Sequence, residues 1–223
     1  MTLGTAPPLK NSTKQAAPKI NYQVAMPNPQ NHLFEVTLHL QSYSLSTLDL
    51  KMPVWTPGSY LVREYAKHLQ DFSAFSGDKA LNWQKIGKNY WQVDTDDISQ
   101  VTVKYRIFAN ELTVRTNHLD TTHGYFNGAA LFFRIPQFDK QPISVTIQTP
   151  RPEWQVTTAL PAVDSQKNTF VAADFDTLVD SPFEIGSHKL HDFEVRGKPH
   201  QLAIWGKGNA PAEPMIKDIK KII

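Results

Sequence analysis

From Ile20 onward the chain alternates. In LFEVTLHL, Phe34, Val36, Leu38 and Leu40 share one face, and Glu35, Thr37 and His39 share the other. TLDLKMPV turns Leu48, Leu50, Met52 and Val54 one way and Asp49 and Lys51 the other. VTVKYRIF repeats the pattern through Val101, Val103, Tyr105 and Ile107, and ISVTIQ through Ile143, Val145 and Ile147. Fainter copies occur at NYQVAM, ELTVRT, YWQV, HDFEV and QLAIW. A period of two marks strands with one buried face, the habit of antiparallel sheets. Many such strands, punctuated by Pro, Gly and Asn, predict a mostly β fold: an antiparallel β-sandwich or a saddle-like stack of sheets.

Three stretches depart from the alternation. Residues 60–75, YLVREYAKHLQDFSAF, suit a helix through Leu61, Tyr65, Leu69 and Phe72, or a bulged strand; the expectation is a short turn followed by a strand. AALFF is apolar on both faces, which predicts a central, fully covered strand. In MIKDIKKII, Met215, Ile216, Ile219, Ile222 and Ile223 form one helical stripe behind Pro214, a residue suited to a first turn. So short a helix is marginal alone, and its stripe needs a surface to cover. The expectation is a second domain cut just after it begins; the alternative is a C-terminal helix folded back on the sheet.

Composition narrows the classes. Of 223 residues 40% are hydrophobic, enough for a globular core, and the net charge is +2 without long blocks of one sign. That excludes the clustered basic face a nucleic-acid binder needs. Without cysteine, neither disulfides nor thiolate metal sites are available; this fits the cytoplasm without excluding the periplasm. No apolar run approaches the ~18 residues of a membrane span. The opening MTLGTAPPLKNSTKQAAPK has no apolar h-region of a secretory signal. Residues 1–18 are expected to be a disordered leader.

Motifs for chemistry are scarce. Eight histidines include no H-E-x-x-H, the helical pair that grips zinc. His188 and His191 differ by an odd offset, and so do His118 and His123, which would meet only if the loop carrying Asp120 curls. There is no G-x-S-x-G and no G-x-G-x-x-G, and Asp174, Asp176 and Asp180 fit a polar turn as well as they fit paired carboxylates. No catalytic or metal-ligating residue is therefore expected in this chain. Trp83 and Tyr90, beside a Lys-Gly-Lys-Asn turn, could present rings to a sugar or simply cap a sheet edge. WTPG predicts a type II turn, with Pro57 fixing φ and Gly58 supplying a positive one. The densest candidate is HGYFNGA. Gly124 and Gly128 bracket Tyr125, Phe126 and Asn127, so the backbone can bend sharply or let a ligand approach closely. A polar loop on a rigid strand is where binding groups usually sit; the alternative is a β-bulge whose Asn127 satisfies loose backbone groups.

VWTPGSYLVREYAKHLQDFSA, then ANELTVRTNHLDTTHGYFNGAALFF, then LVDSPFEIG, in that order, resemble the N-terminal region of the glycyl aminopeptidase family. These are gluzincin metallopeptidases that usually carry a C-terminal PDZ domain. The resemblance runs from about Ile20 to the end. It implies an N-terminal β domain over 19–197 and the start of a truncated thermolysin-like catalytic domain over 198–223. It implies zinc in that catalytic domain, held by a motif this chain lacks, so the chain alone should be inactive. Its partners would be its own catalytic domain and a peptide substrate with a small first residue such as Gly. HGYFNGA becomes the loop sent to the substrate cleft: Tyr125 and Asn127 supply polar groups, Gly128 leaves room for substrate backbone, and His123, like His118, stands at the rim. The reading from another class is a free-standing β-sandwich module binding carbohydrate or peptide through Trp83 and Tyr90.

Overall fold

The computed structural model describes residues 17–209 and 211–223; the expected leader lies outside the described residues except for Ala17 and Pro18. Seven strands form the largest sheet, in the order β13 (Thr169–Ala172), β11 (Ile143–Gln148), β1 (Lys19–Ala25), β2 (Leu33–Gln41), β8 (Gln100–Phe108), β4 (Leu69–Ser76) and β5 (Lys79–Ala80). β2 pairs along its length with β1 and β8, and its alternation holds: Phe34, Val36, Leu38 and Leu40 are buried. The fold is mostly β with several antiparallel sheets, as the period of two predicts. One pairing departs from it. β1 and β11 run parallel, Ile20 opposite Ile143, because a long excursion between them lets the chain return in the same direction, which a hairpin cannot do.

Three smaller sheets flank this one. The first is β3 (Thr47–Lys51), β7 (Tyr90–Asp94) and β6 (Trp83–Gly87) in that order. It is fastened by rings: Trp91 lies 5.1 Å from Phe133, which in turn lies 4.9 Å from Tyr105 on β8. The second is β12 (Gln155–Thr157), β14 (Phe183–Gly186), β10 (His123–Phe126) and β9 (His118–Leu119), again in spatial order. The third is the hairpin β15 (Lys189–Val195) and β16 (Lys198–Ile204). HDFEV and QLAIW thus form strands as expected, and residues 60–75 form a 3-10 turn at Tyr65–His68 followed by β4.

Two expected strands are not strands. AALFF is buried as predicted, yet it runs as a 3-10 turn (Gly128–Ala130) followed by irregular backbone. Side chains take the place of a sheet ladder: Asn117 Nδ2 donates to the Ala130 carbonyl (2.9 Å), Tyr105 OH to Leu131 (2.9 Å) and Tyr22 OH to Phe133 (2.6 Å). Buried backbone needs partners but not necessarily sheet partners. ELTVRT is a tight exposed loop. The Thr113 and Thr116 hydroxyls bond each other at 2.7 Å and Thr116 Oγ1 also donates to the Glu111 carbonyl at 2.7 Å, a local network that competes with strand pairing.

The described residues also include two α-helices. α1 (Phe175–Val179) starts at Asp174, whose carboxylate accepts from the backbone N–H of Thr177 at 2.8 Å, so ADFDTLVD forms a short capped helix where the sequence suggested a polar turn. α2 (Ala212–Ile222) begins two residues before Pro214, which occupies its first turn. Ile216 and Ile219 are half-buried, and the helix packs against β15, with Lys220 Nζ 5.8 Å above the Phe193 ring.

Candidate functional site

The four-stranded sheet β12–β14–β10–β9 has two unlike faces, and strand register fixes which residues share each. Tyr125 on β10 stands opposite Glu184 on one side and His118 on the other, and Glu184 stands opposite Thr157. Directly opposed residues point to the same face. One row therefore reads His118, Tyr125, Glu184, Thr157 across all four strands. His123, two residues before Tyr125, joins that face. The next row, Leu119, Gly124, Ile185 and Val156, points the opposite way into the core with Phe126 and Phe183, whose rings stack at 4.6 Å. His123, Tyr125 and His118 thus belong to one polar sheet face rather than to a free loop.

Glycine enforces the closeness of these strands. A Cβ on Gly124 would come within 3.2 Å of Leu119 and 3.4 Å of Phe34, and one on Gly186 would meet His123 Cβ at 3.0 Å.

The turn between β9 and β10 curls as the His118–His123 spacing requires. Asp120 Oδ1 accepts from Thr122 N (2.7 Å), Thr122 Oγ1 (2.5 Å) and His123 N (3.1 Å), while Oδ2 lies 3.3 Å from His118 Nε2. Partial burial pushes the Asp120 carboxyl up, but the bonds from Thr122, His123 and His118 outweigh it and hold it well below the usual range. His123 is buried. Its desolvation, with the nearby His118, pulls it down to about 4 against the opposing pull of Asp120. Its ring stacks on Trp205, just after β16, at 3.6 Å between centroids and 18° between planes.

His118, Asp120 and His123 bring three metal-type donors within 4.8 Å of one another. Zinc bonds of about 2.0–2.2 Å place tetrahedral ligands roughly 3.4 Å apart. His118 and His123 approach the Asp120 carboxylate to 3.3 and 3.8 Å, near that spacing, while Asp120 Oδ1 already accepts three hydrogen bonds within the turn.

A cleft of about 950 Å³ opens between this face and the β15–β16 hairpin, lined by Tyr125, Thr158, Glu184, Phe193 and His200 among others. Glu184 Oε1 and Thr158 Oγ1 are buried there without a hydrogen-bond partner among the described residues. Burial pushes the Glu184 carboxyl up to about 7, and the Tyr125 phenol is raised by burial and by the nearby Glu184. Beside them, His188 Nε2 shares a 2.7 Å bond with Thr157 Oγ1.

The other HGYFNGA groups have structural partners. Asn127 Oδ1 accepts from Ala129 N at 3.0 Å, capping the 3-10 turn, and its Nδ2 reaches the Val114 carbonyl at 3.4 Å, which Tyr125 OH also meets at 3.3 Å. Gly128 is buried against α1, where a Cβ would touch the Leu178 carbonyl oxygen and Val179 Cα, both at 3.0 Å. Trp83 is 42% exposed with its ring 4.7 Å from Phe72, and Tyr90 OH donates to Asp49 at 2.6 Å.

Sequence reasoning passed over Glu184, Thr158 and Trp205. Glu184 lies inside LVDSPFEIG, but nothing in one sequence shows that it stands opposite Tyr125.

No curated protein matches the chain by sequence. Among solved structures, an aminopeptidase N family protein from Idiomarina loihiensis is 32% identical with a TM-score of 0.85, over 91% of this chain and 35% of that one. An M1 zinc metallopeptidase from Deinococcus radiodurans, solved as a point mutant, is 10% identical with a TM-score of 0.51, over 91% of this chain and 52% of that one; it shares the fold. The chain thus spans about a third of the Idiomarina protein's length. The family described as Peptidase M61 N-terminal domain matches residues 21–187, most of the described chain, and the chain belongs to that family.

Proposed function

We propose that this chain is the substrate-side N-terminal domain of a zinc-dependent aminopeptidase, and that its polar sheet face forms the wall receiving the substrate's amino end. One observation carries the reading: the Glu184 carboxylate, buried in a cleft beside Tyr125 with an oxygen that no protein donor satisfies. A buried carboxylate without a partner is costly. A peptide α-ammonium in the cleft would supply the opposite charge, and its approach would return Glu184 to its ionised form. Tyr125 stands opposite it to orient the same end, His123 and His118 form the rim, and Asn127 and Gly128 hold the loop behind. A preference for a small first residue such as Gly follows if the β15–β16 hairpin restricts the cleft above these groups.

The chemistry of cleavage lies elsewhere. This chain has no H-E-x-x-H, the motif that would hold the catalytic metal. Zinc would belong to a catalytic domain, for which this chain supplies a docking partner and one side of the cleft. The Deinococcus likeness supports that family setting and nothing finer.

Glu184→Gln in the intact gene product tests the reading. A hydrogen bond to a charged group contributes about 1.5–3 kcal/mol, so KM for aminoacyl substrates with a free amine should rise about ten- to a hundredfold, with kcat changing less. An unchanged KM would sink the assignment. The same preparation shows whether the reading frame continues past Ile223 into H-E-x-x-H.

A further inference from the structure

The largest exposed apolar side chains are not scattered. Among the described residues, six of fourteen sit on two neighbouring loops: Trp55 (51% exposed), Tyr60 (100%), Leu61 (61%) and Val62 (68%) on one, Leu112 (57%) and Val114 (70%) on the other. The loops meet around a hollow of about 770 Å³, whose lining includes Pro57, Gly58, Val114, Arg115 and Asn127.

The first loop is cross-braced. The N–H of Arg63 closes it onto the Val54 carbonyl, and Thr56 to Ser59 forms the expected type II turn, with Gly58 at φ +82° and a 3.0 Å bond from Ser59 N to the Thr56 carbonyl. Ser59 is buried at the hub. Its carbonyl accepts from Trp55 Nε1 (2.8 Å), its hydroxyl donates to the Leu61 carbonyl (2.9 Å), and Arg63 Nε reaches that hydroxyl at 3.4 Å. The polar groups are turned inward and satisfied, and the apolar ones outward. Across the hollow, the second loop is pinned through Val114 by Tyr125 and Asn127.

We propose that loops 54–63 and 111–116 together form the surface on which a peptidase domain seats. An apolar patch of this kind, on a braced support, marks a protein contact. The hollow's lining sets Arg115 against Asp176 and Asp180, a mixed and partly acidic wall that suits a protein partner better than an anionic lipid or nucleic acid. The occupant is argued from length: the Idiomarina relative, 32% identical, matches this chain over only 35% of its own sequence. A domain seated here would touch the backs of Tyr125 and Asn127 and so fix the site's outer edge. The proposal rests on the aminopeptidase reading.

Hydroxyl-radical footprinting of the intact gene product beside this 223-residue chain tests it. Oxidation of Tyr60, Leu61 and Val62 should slow at least fivefold in the intact product, and Tyr60→Ser/Leu61→Ser should restore fast oxidation of Val62. Equal rates in the two proteins would overturn the proposal. So would dimerisation of the short chain abolished by the double variant, or its flotation with anionic phosphatidylserine vesicles. If the loops are unprotected while Glu184→Gln still raises KM, docking fails and the amine site stands; protection with an unchanged KM gives the reverse.

Discussion

Glu184 holds an unpartnered oxygen in a cleft, and a carboxylate kept from water weakens the fold that keeps it there. Its folded pKa, about 7, lies above the ordinary 4.5. Its contribution to stability is therefore whole below about pH 4.5 and lost as pH rises through 7. His123 works in the opposite sense. Folded at about 4 against an ordinary 6.5, its contribution is whole above 6.5 and lost as pH falls toward 4. Between pH 4.5 and 6.5 the two slopes oppose and flatten the profile. Glu184→Gln should stabilise the chain by about 1–2 kcal/mol at pH 8, a figure reduced for partial solvent screening, and change little at pH 4. It should also uncover His123 as stability that rises with pH. Urea midpoints from pH 4 to 8 measure both effects, and a variant no more stable than the parent at pH 8 would remove the strain from Glu184. At this scale the sequence was half legible. HGYFNGA announced itself by its glycines, whereas Glu184, a polar residue between the inward Phe183 and Ile185, looked like any outward strand position.

At the scale of elements, alternation predicted strands well and irregular burial badly. AALFF has the composition of a central strand, but Gly128 and the hydroxyl and amide groups of Tyr22, Tyr105 and Asn117 let it thread the core without a ladder. Those partners lie far along the chain, and no local pattern names them. The segment depends on Gly128 lying flat against α1, so Gly128→Ala must push that helix away. The expected cost is about 1–3 kcal/mol, the usual penalty of overpacking. Asp174→Ala removes the cap of the same helix and should cost about 1 kcal/mol. Denaturant midpoints measure both, and the two losses should not add, because each acts on the seating of α1. A Gly128→Ala protein as stable as its parent would show that the helix has slack, and would reopen Gly128 to the role of leaving room for substrate.

For the whole molecule, the period of two was enough to foresee stacked β-sheets but not their joints. The parallel pairing of β1 with β11 and the placement of the β15–β16 hairpin over the polar face are long-range facts. Among the described residues, the hairpin pairs with no strand of the other sheets. Trp205 at its end stacks on His123, and Gln155 on β12 donates to the His188 carbonyl at its root, so side chains join the cleft's far wall to its floor. That joint can be read optically. Protonated imidazole quenches a stacked indole, so Trp205 emission should titrate with a midpoint near pH 4 rather than at the 6.5 of an ordinary histidine. Trp205→Phe should abolish the titration, and Asp120→Asn should lower its midpoint further, since the charge of Asp120 supports the protonated ring. If the hairpin is held mainly by this stack, Trp205→Ala should also speed amide exchange across β15 and β16 while leaving β2 and β8 protected. Exchange unchanged in the hairpin would mean that other contacts, such as the Gln155 bond to the His188 carbonyl, hold the wall. The stack would then be a consequence of the cleft's shape rather than one of its causes.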